Sequence, residues 1–208
     1  MFVLLATSSS SSCAEHLRFF TLLQTLPVIK DGDNIISDSY SIAEYLDHTY
    51  APHSVFPPRT KACQAAVLHY LSTTLIPAFR PLIVPHAVNI LDPRGAEYFR
   101  RTRESKAQFG CRLEEVLPLG TPEREAQWQK VEAALDTVAG WLEHSEADGV
   151  ELFFGGKEGP MYADLVLAAN LLWVQRTKVP DGWSRIAEWH DGRWAQLLDQ
   201  FDAWIEVR

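Results

Sequence analysis

The stretch Leu26-Pro27-Val28-Ile29-Lys30-Asp31-Gly32-Asp33-Asn34-Ile35-Ile36-Ser37-Asp38-Ser39 decides how this chain is read. Leu26-Pro27-Val28-Ile29 is a short run suited to a strand, Asp31-Gly32-Asp33-Asn34 supplies turn chemistry, and Ile35-Ile36 opens a second run, so an antiparallel hairpin is predicted. Asp38 and Ser39 carry side-chain oxygens that cap helix starts. The helix they introduce places Ile42, Tyr45, Leu46 and Tyr50 on one apolar face, expected to pack on the hairpin's sheet.

Downstream, Ala51-Pro52-His53 and Phe56-Pro57-Pro58 interrupt any helix and read as an interdomain connection near residues 51–60. The organisation predicted is a first domain over 1–50 and a second over 60–208. In the second, Val67, Leu68, Leu71, Leu75 and Phe79 keep helical spacing until Pro81 and Pro85, which are expected to kink or end the helix. A segment begins near Pro93, and a loop around Pro118 and Pro122 precedes a helix with Trp128, Val131, Leu135, Val138 and Leu142 on one stripe. Residues 164–175 are apolar on nearly all sides and are predicted to lie at the domain centre, and a last helix carries Trp194, Leu197, Phe201 and Trp204. The cluster Arg100, Arg101 and Arg103 reads either as a solvated helix face or as an anion-attracting wall. Tyr70, Phe79 and Trp173 are candidates to line an apolar pocket.

Upstream, Thr7 followed by five serines favours a loop, and residues 1–6 are apolar without a basic flank, so no targeting signal is read. The most apolar later run noted, residues 165–174, is too short to span a bilayer. With 47% hydrophobic and 22% charged residues among 208, the chain is expected to fold around a packed core. Its net charge of −8 opposes phosphate backbones and anionic membranes, so neither nucleic acid nor a membrane is expected as a partner. Cys13, Cys63 and Cys111 are odd in number and far apart, which fits neither a disulfide framework nor a zinc site and points to a reducing, cytoplasmic compartment. No G-x-S-x-G elbow or metal motif supports a hydrolase reading.

Three local motifs resemble glutathione transferases: Leu26-Pro27-Val28, Asp38-Ser39 followed by Ile42-Ala43-Glu44-Tyr45-Leu46, and Phe153-Phe154-Gly155-Gly156 with Tyr162-Ala163-Asp164. Pro77-Ala78-Phe79-Arg80-Pro81-Leu82 and residues 97–104 are similar to fungal members related to bacterial β-etherases, the Fua type. The resemblance implies an α/β plus all-α fold, a truncated thioredoxin-like domain followed by a helical bundle. It further implies a cis bond before Pro27, a main-chain contact from Val28 to the cysteinyl part of glutathione, and a homodimer. Asp38 and Ser39 read as a plain helix cap or, by the resemblance, as a ligand site in which the helix start holds the γ-glutamyl carboxylate, Ser39 donates its hydroxyl and Asp38 accepts from the amino group. Where the family places Ser or Thr three residues before Asp164, this chain has Met161, so the helix start is expected to lose about 1 kcal/mol.

The family's first domain begins with a strand, a helix and a second strand, whereas only 25 residues precede Leu26. Residues 2–5 are assigned to the first strand and 13–23, with Arg18, to the helix, which leaves nothing for the second strand. A glutathione thiolate would be supported by Ser11 or Cys13 if these are not inert linker. The expected activity is conjugation of glutathione to small electrophilic molecules, or thiolate cleavage of ethers in them, in fungal specialised metabolism. The alternative is a catalytically inactive binding or assembly module.

Overall fold

The computed structural model describes residues 26–144 and 152–202. The predicted strand of residues 2–5, the helix of 13–23, Ser11, Cys13 and Trp204 lie outside them. The chain divides into two compact units that meet at Arg59 and Thr60.

In the first unit, β1 (Val28–Asp31) and β2 (Asn34–Ser37) pair antiparallel in the register Val28 to Ser37 through Asp31 to Asn34, closed by the two residues Gly32 and Asp33. Gly32 takes φ 57°, the left-handed backbone that a two-residue hairpin loop requires. Helix α1 (Ser39–Tyr50) follows. Its apolar face is only partly covered: Ile42 is buried and Tyr45 half-buried, but Leu46 and Tyr50 are exposed at 41% and 61%. Tyr45 and Tyr50 instead send their hydroxyls to the Asp31 carboxylate at the hairpin turn. The connection after α1 is tied back by Asp47, which accepts from the Ser54 hydroxyl at 2.6 Å and the Val55 amide at 2.7 Å.

The second unit is helical among its described residues. α2 (Lys61–Tyr70) runs through a π-turn (Leu71–Leu75) into α3 (Ile76–Ala87) and a 3-10 turn (Val88–Ile90). Pro81 and Pro85 lie inside α3, so of the two outcomes expected they do not end the helix. Pro77, Pro81 and Pro85 are spaced by four, so each missing N–H faces the carbonyl of the residue four before it, and the lost bonds fall along one line. Phe79, Leu82 and Ile83, all fully buried, hold the remaining turns in the core. Among the described residues the 30-residue run Lys61–Ile90, rather than residues 165–174, is the stretch long and apolar enough to cross a membrane by length and composition. Leu71, Leu75, Phe79, Leu82 and Ile83 within it are fully buried in the helical core, which accounts for its apolarity.

Helix α4 (Pro93–Arg103) starts at Asp92, whose carboxylate accepts from the Gly95 amide. α5 (Pro122–Glu143) buries the predicted stripe Trp128, Val131, Leu135, Val138 and Leu142. α6 (Tyr162–Thr177) lies in the same core with Leu167, Leu171 and Val174, and α7 (Trp183–Glu188) and α8 (Arg193–Asp199) close the unit with Ile186, Trp194 and Leu197. A buried polar knot joins α5 to the loop before α7: Arg124 donates from Nε to Asp181 at 2.8 Å and from Nη1 to the Leu117 carbonyl at 2.8 Å, and Trp128 Nε1 donates to Asp181 at 2.9 Å. Burial raises the Asp181 pKa, but Arg124 and Trp128 more than reverse this and hold it below the usual carboxylate range.

The start of α6 retains the carboxylate half of its capping box. Asp164, fully buried, accepts from the Met161 amide at 2.8 Å and the Phe154 amide at 2.9 Å. The missing hydroxyl is compensated from across the unit. Gln64 of α2, only 1% exposed, accepts from the Ala163 amide at 3.2 Å through Oε1 while its Nε2 donates to Thr60. A first-turn amide of α6 is thus satisfied without a local cap. Gly155, in the loop before α6, cannot carry a side chain, because a Cβ there would stand 2.2 Å from the Gly159 carbonyl oxygen.

Candidate functional site

The candidate site is built where β2 gives way to α1. Asp38 has φ 76° and ψ 131°, a left-handed conformation that an aspartate tolerates only at a cost of order 1–3 kcal/mol. The carboxylate compensates in part, with Oδ1 accepting from the Tyr40 and Ser41 amides at 3.0 Å each. The Ile42 amide then bonds the Asp38 carbonyl at 2.9 Å, the first regular helical bond.

This distribution leaves specific groups open. Among the described residues Asp38 Oδ2, the Ser39 amide and the Ser39 hydroxyl make no hydrogen bond, and both side chains are exposed. A carboxylate oxygen, an N–H and an O–H therefore stand together at the positive end of a helix macrodipole. That set can accept from an ammonium group and donate to a carboxylate, the two charges carried by the α-carbon end of an amino acid. The cap and ligand readings of Asp38 are compatible in this geometry, because the cap occupies one oxygen only.

The hairpin register sets the second half. Val28 lies opposite Ser37, two residues before Ser39, and the Leu26–Pro27 bond that precedes it is cis. Among the described residues the sheet has two strands, β1 and β2, and Val28 opens β1 directly after the cis bond. Backbone at the start of a strand can pair with an extended peptide-like segment.

The other candidates lie in the helical unit. Arg100 is spent on two carboxylates, Glu104 at 3.2 Å and Glu114 at 2.7 Å; its hydrogen bond with Glu114 chiefly raises its pKa and holds that carboxyl low. Arg101 stacks over Tyr98 and Arg103 over Phe99. Phe79 is fully buried, so it is core and lines no pocket. Trp173 is half-buried against the core. Tyr70 does line an open cleft, with Thr74, Pro77, Pro81, Gln127 and Lys130. Among the described residues no cluster of three or more His, Cys, Asp or Glu is placed to hold a metal ion.

Two features of the site carry no clear signature in the sequence. The backbone strain at Asp38 has only a weak signal, in that Asp is among the few residues that enter positive φ. The convergence of Tyr45 and Tyr50 on Asp31 spans 14 and 19 residues and has none.

Comparison with known proteins places this geometry. Residues 62–204 match the glutathione S-transferase C-terminal domain model, and residues 6–54 match the N-terminal domain model. The glutathione S-transferase-like protein ustS of Aspergillus flavus is 30% identical over 193 residues, covering 88% of this chain and 68% of that protein. A Ceriporiopsis subvermispora glutathione S-transferase solved in complex with glutathione is 38% identical with a TM-score of 0.79, over 88% of this chain and 73% of that one. Glutathione transferase GSTFuA3 of Phanerochaete chrysosporium is 32% identical with a TM-score of 0.76, over 88% and 72%. The match to both domain models, carried on a two-stranded hairpin with a helix and a helical bundle, shows that the chain belongs to the glutathione S-transferase family, with fungal, Fua-type members among its structural relatives.

Proposed function

We propose that the protein binds glutathione on its first unit and joins the glutathione sulfur to small electrophilic molecules, or uses it to cleave ethers in them. The observation that carries this reading is the open triad of Asp38 Oδ2, the Ser39 amide and the Ser39 hydroxyl at the start of α1, with the Val28 backbone beside it in the hairpin register. Ser39 and the helix end hold the γ-glutamyl carboxylate, Asp38 Oδ2 accepts from the amino group, and the Val28 backbone pairs with the cysteinyl segment. The sulfur, as thiolate, attacks an electrophilic carbon. The new C–S bond forms as the leaving group departs with its electron pair, and the thiol proton goes to solvent. Ser11 and Cys13 are the proposed supports of the thiolate. A cytoplasmic homodimer acting in fungal specialised metabolism fits the family and the fungal source of its relatives.

A second reading is a glutathione-binding module without transferase activity. The described groups serve the γ-glutamyl and cysteinyl backbone, so this reading shares the same binding geometry and differs only in whether the thiol is activated. Calorimetry with glutathione on the wild type and Ser39→Ala, paired with conjugation of a generic aryl halide, tests both. Ser39→Ala is expected to weaken binding about ten- to a hundredfold, the loss of one hydrogen bond to a charged group. Unchanged affinity discards the site, turnover supports the transferase, and binding without turnover supports the module.

A further inference from the structure

The C-terminal half of α1 is fastened to the hairpin turn by a cluster that the binding reading does not use. Asp31 ends β1 and Asn34 opens β2, and the two are partners in the register. Tyr45 donates its hydroxyl to Asp31 Oδ2 at 2.8 Å, Tyr50 donates to the same oxygen, and Asn34 Nδ2 donates to the Tyr45 oxygen at 3.4 Å. Two phenols on one carboxylate oxygen form a charge-assisted pair, held by rigid rings that lose little freedom when fixed. The titration behaviour agrees. The Tyr50 and then the Tyr45 hydrogen bonds hold the Asp31 carboxyl below its usual range, and Asp31 pushes the Tyr50 phenol up.

The placement gives the cluster a mechanical consequence. α1 joins β2 through the single residue Asp38, and besides the tyrosines it is held by the buried Ile42 and by Asp47 to the following connection, so the clamp is what ties its rotation to the hairpin turn. The tyrosines sit 6 and 11 residues beyond Ser39, about 9 and 16 Å along the helix, so they fix the roll at its far end. With Cα atoms about 2.3 Å from the axis and a side-chain hydroxyl about 4 Å out, a roll of about 15° moves the Ser39 hydroxyl by about 1 Å. A displacement of that size is enough to spoil a ligand geometry that requires two fixed points.

We propose that Asp31, Tyr45 and Tyr50 are positioning residues for the glutathione site: they set the rotation of α1 so that the Ser39 and Asp38 groups and the Val28 backbone meet one extended ligand. The proposal rests on the binding reading above, and it assigns to residues that touch no ligand the task of matching the two halves of the site. It requires that loss of the clamp harm a ligand spanning both halves and spare one that touches the helix start alone.

The test compares glutathione with γ-glutamylmethylamide, a fragment that reaches only the start of α1, by calorimetry and ligand-observed NMR. The variants are Asp31→Ala, Tyr45→Phe and Asp31→Ala/Tyr45→Phe, with Ser39→Ala as reference. Tyr45→Phe removes only a hydroxyl and keeps the test valid if Asp31→Ala disturbs the turn. Glutathione affinity is expected to fall about three- to tenfold in Asp31→Ala and about two- to threefold in Tyr45→Phe. The double variant should match Asp31→Ala, because both changes cut the same contact. Fragment affinity should fall in Ser39→Ala and hold in the clamp variants. If Ser39→Ala weakens glutathione but the clamp variants do not, or if they weaken the fragment equally, the positioning role is overturned and the binding reading stands. If Ser39→Ala itself changes nothing, the binding reading fails and the positioning role falls with it.

Discussion

The two units manage their polar groups in opposite ways. In the helical unit Asp164, Gln64 and Arg124 are buried, and each is answered by several partners inside the unit. In the described part of the first unit Ile42 and Phe56 are the buried apolar residues, while Asp38 and Ser39 stand in solvent and Asp38 adopts a strained backbone. Burial explains the first arrangement, since an unpaired group there costs far more than a paired one gains. In the second, the Asp38 cap on the Tyr40 and Ser41 amides offsets part of the strain. The remaining exposed, half-occupied helix start is the feature that the proposed binding of glutathione would use.

The contrast breaks first at Asp164. Asp164→Ala leaves the buried Phe154 and Met161 amides without their acceptor and is expected to cost about 3–5 kcal/mol near pH 4, measured by chemical unfolding. Burial has pushed this carboxyl from 3.8 to about 6 against the pull of three backbone amides. Because the folded value lies above the unfolded one, the stability Asp164 contributes is complete below about pH 4 and is lost as the pH rises through about 6. The gap between wild type and variant should therefore narrow by roughly 2–3 kcal/mol between pH 4 and 7. A constant gap across that range would show that the carboxyl is not desolvated as its burial implies.

Gln64 gives the next largest effect. Gln64→Ala removes the distant acceptor of the Ala163 amide and should lower stability by about 1–2 kcal/mol, and Gln64→Met, which keeps the length of the side chain but no amide oxygen, should lose nearly as much. A much smaller loss in Gln64→Met would mean that packing rather than the hydrogen bond matters at this position. At the small end, Leu46→Gln on the exposed side of α1 should change stability by less than about 0.5 kcal/mol. A loss of more than about 1.5 kcal/mol there would place Leu46 in a buried contact and erase the difference between the units.

The sequence by itself determined the hairpin, the helix start at Ser39, the stripe of α5 and the apolar α6, because each is a local pattern: a turn dipeptide, a capping residue, or a spacing of three and four. It also carried the family, through motifs that keep their order along the chain. Tertiary structure alone decided three things. α3 runs through Pro81 and Pro85 because Phe79, Leu82 and Ile83 have core partners, and no propensity scale contains those partners. Met161 stands where a capping hydroxyl is expected, and the loss is offset by Gln64, 99 residues away in the chain. Leu46 and Tyr50 have the spacing of a buried face yet remain exposed, while the Tyr45 and Tyr50 hydroxyls converge on Asp31. Periodicity states which residues share a face of a helix, but only the neighbouring elements determine whether that face meets a core, a carboxylate or water.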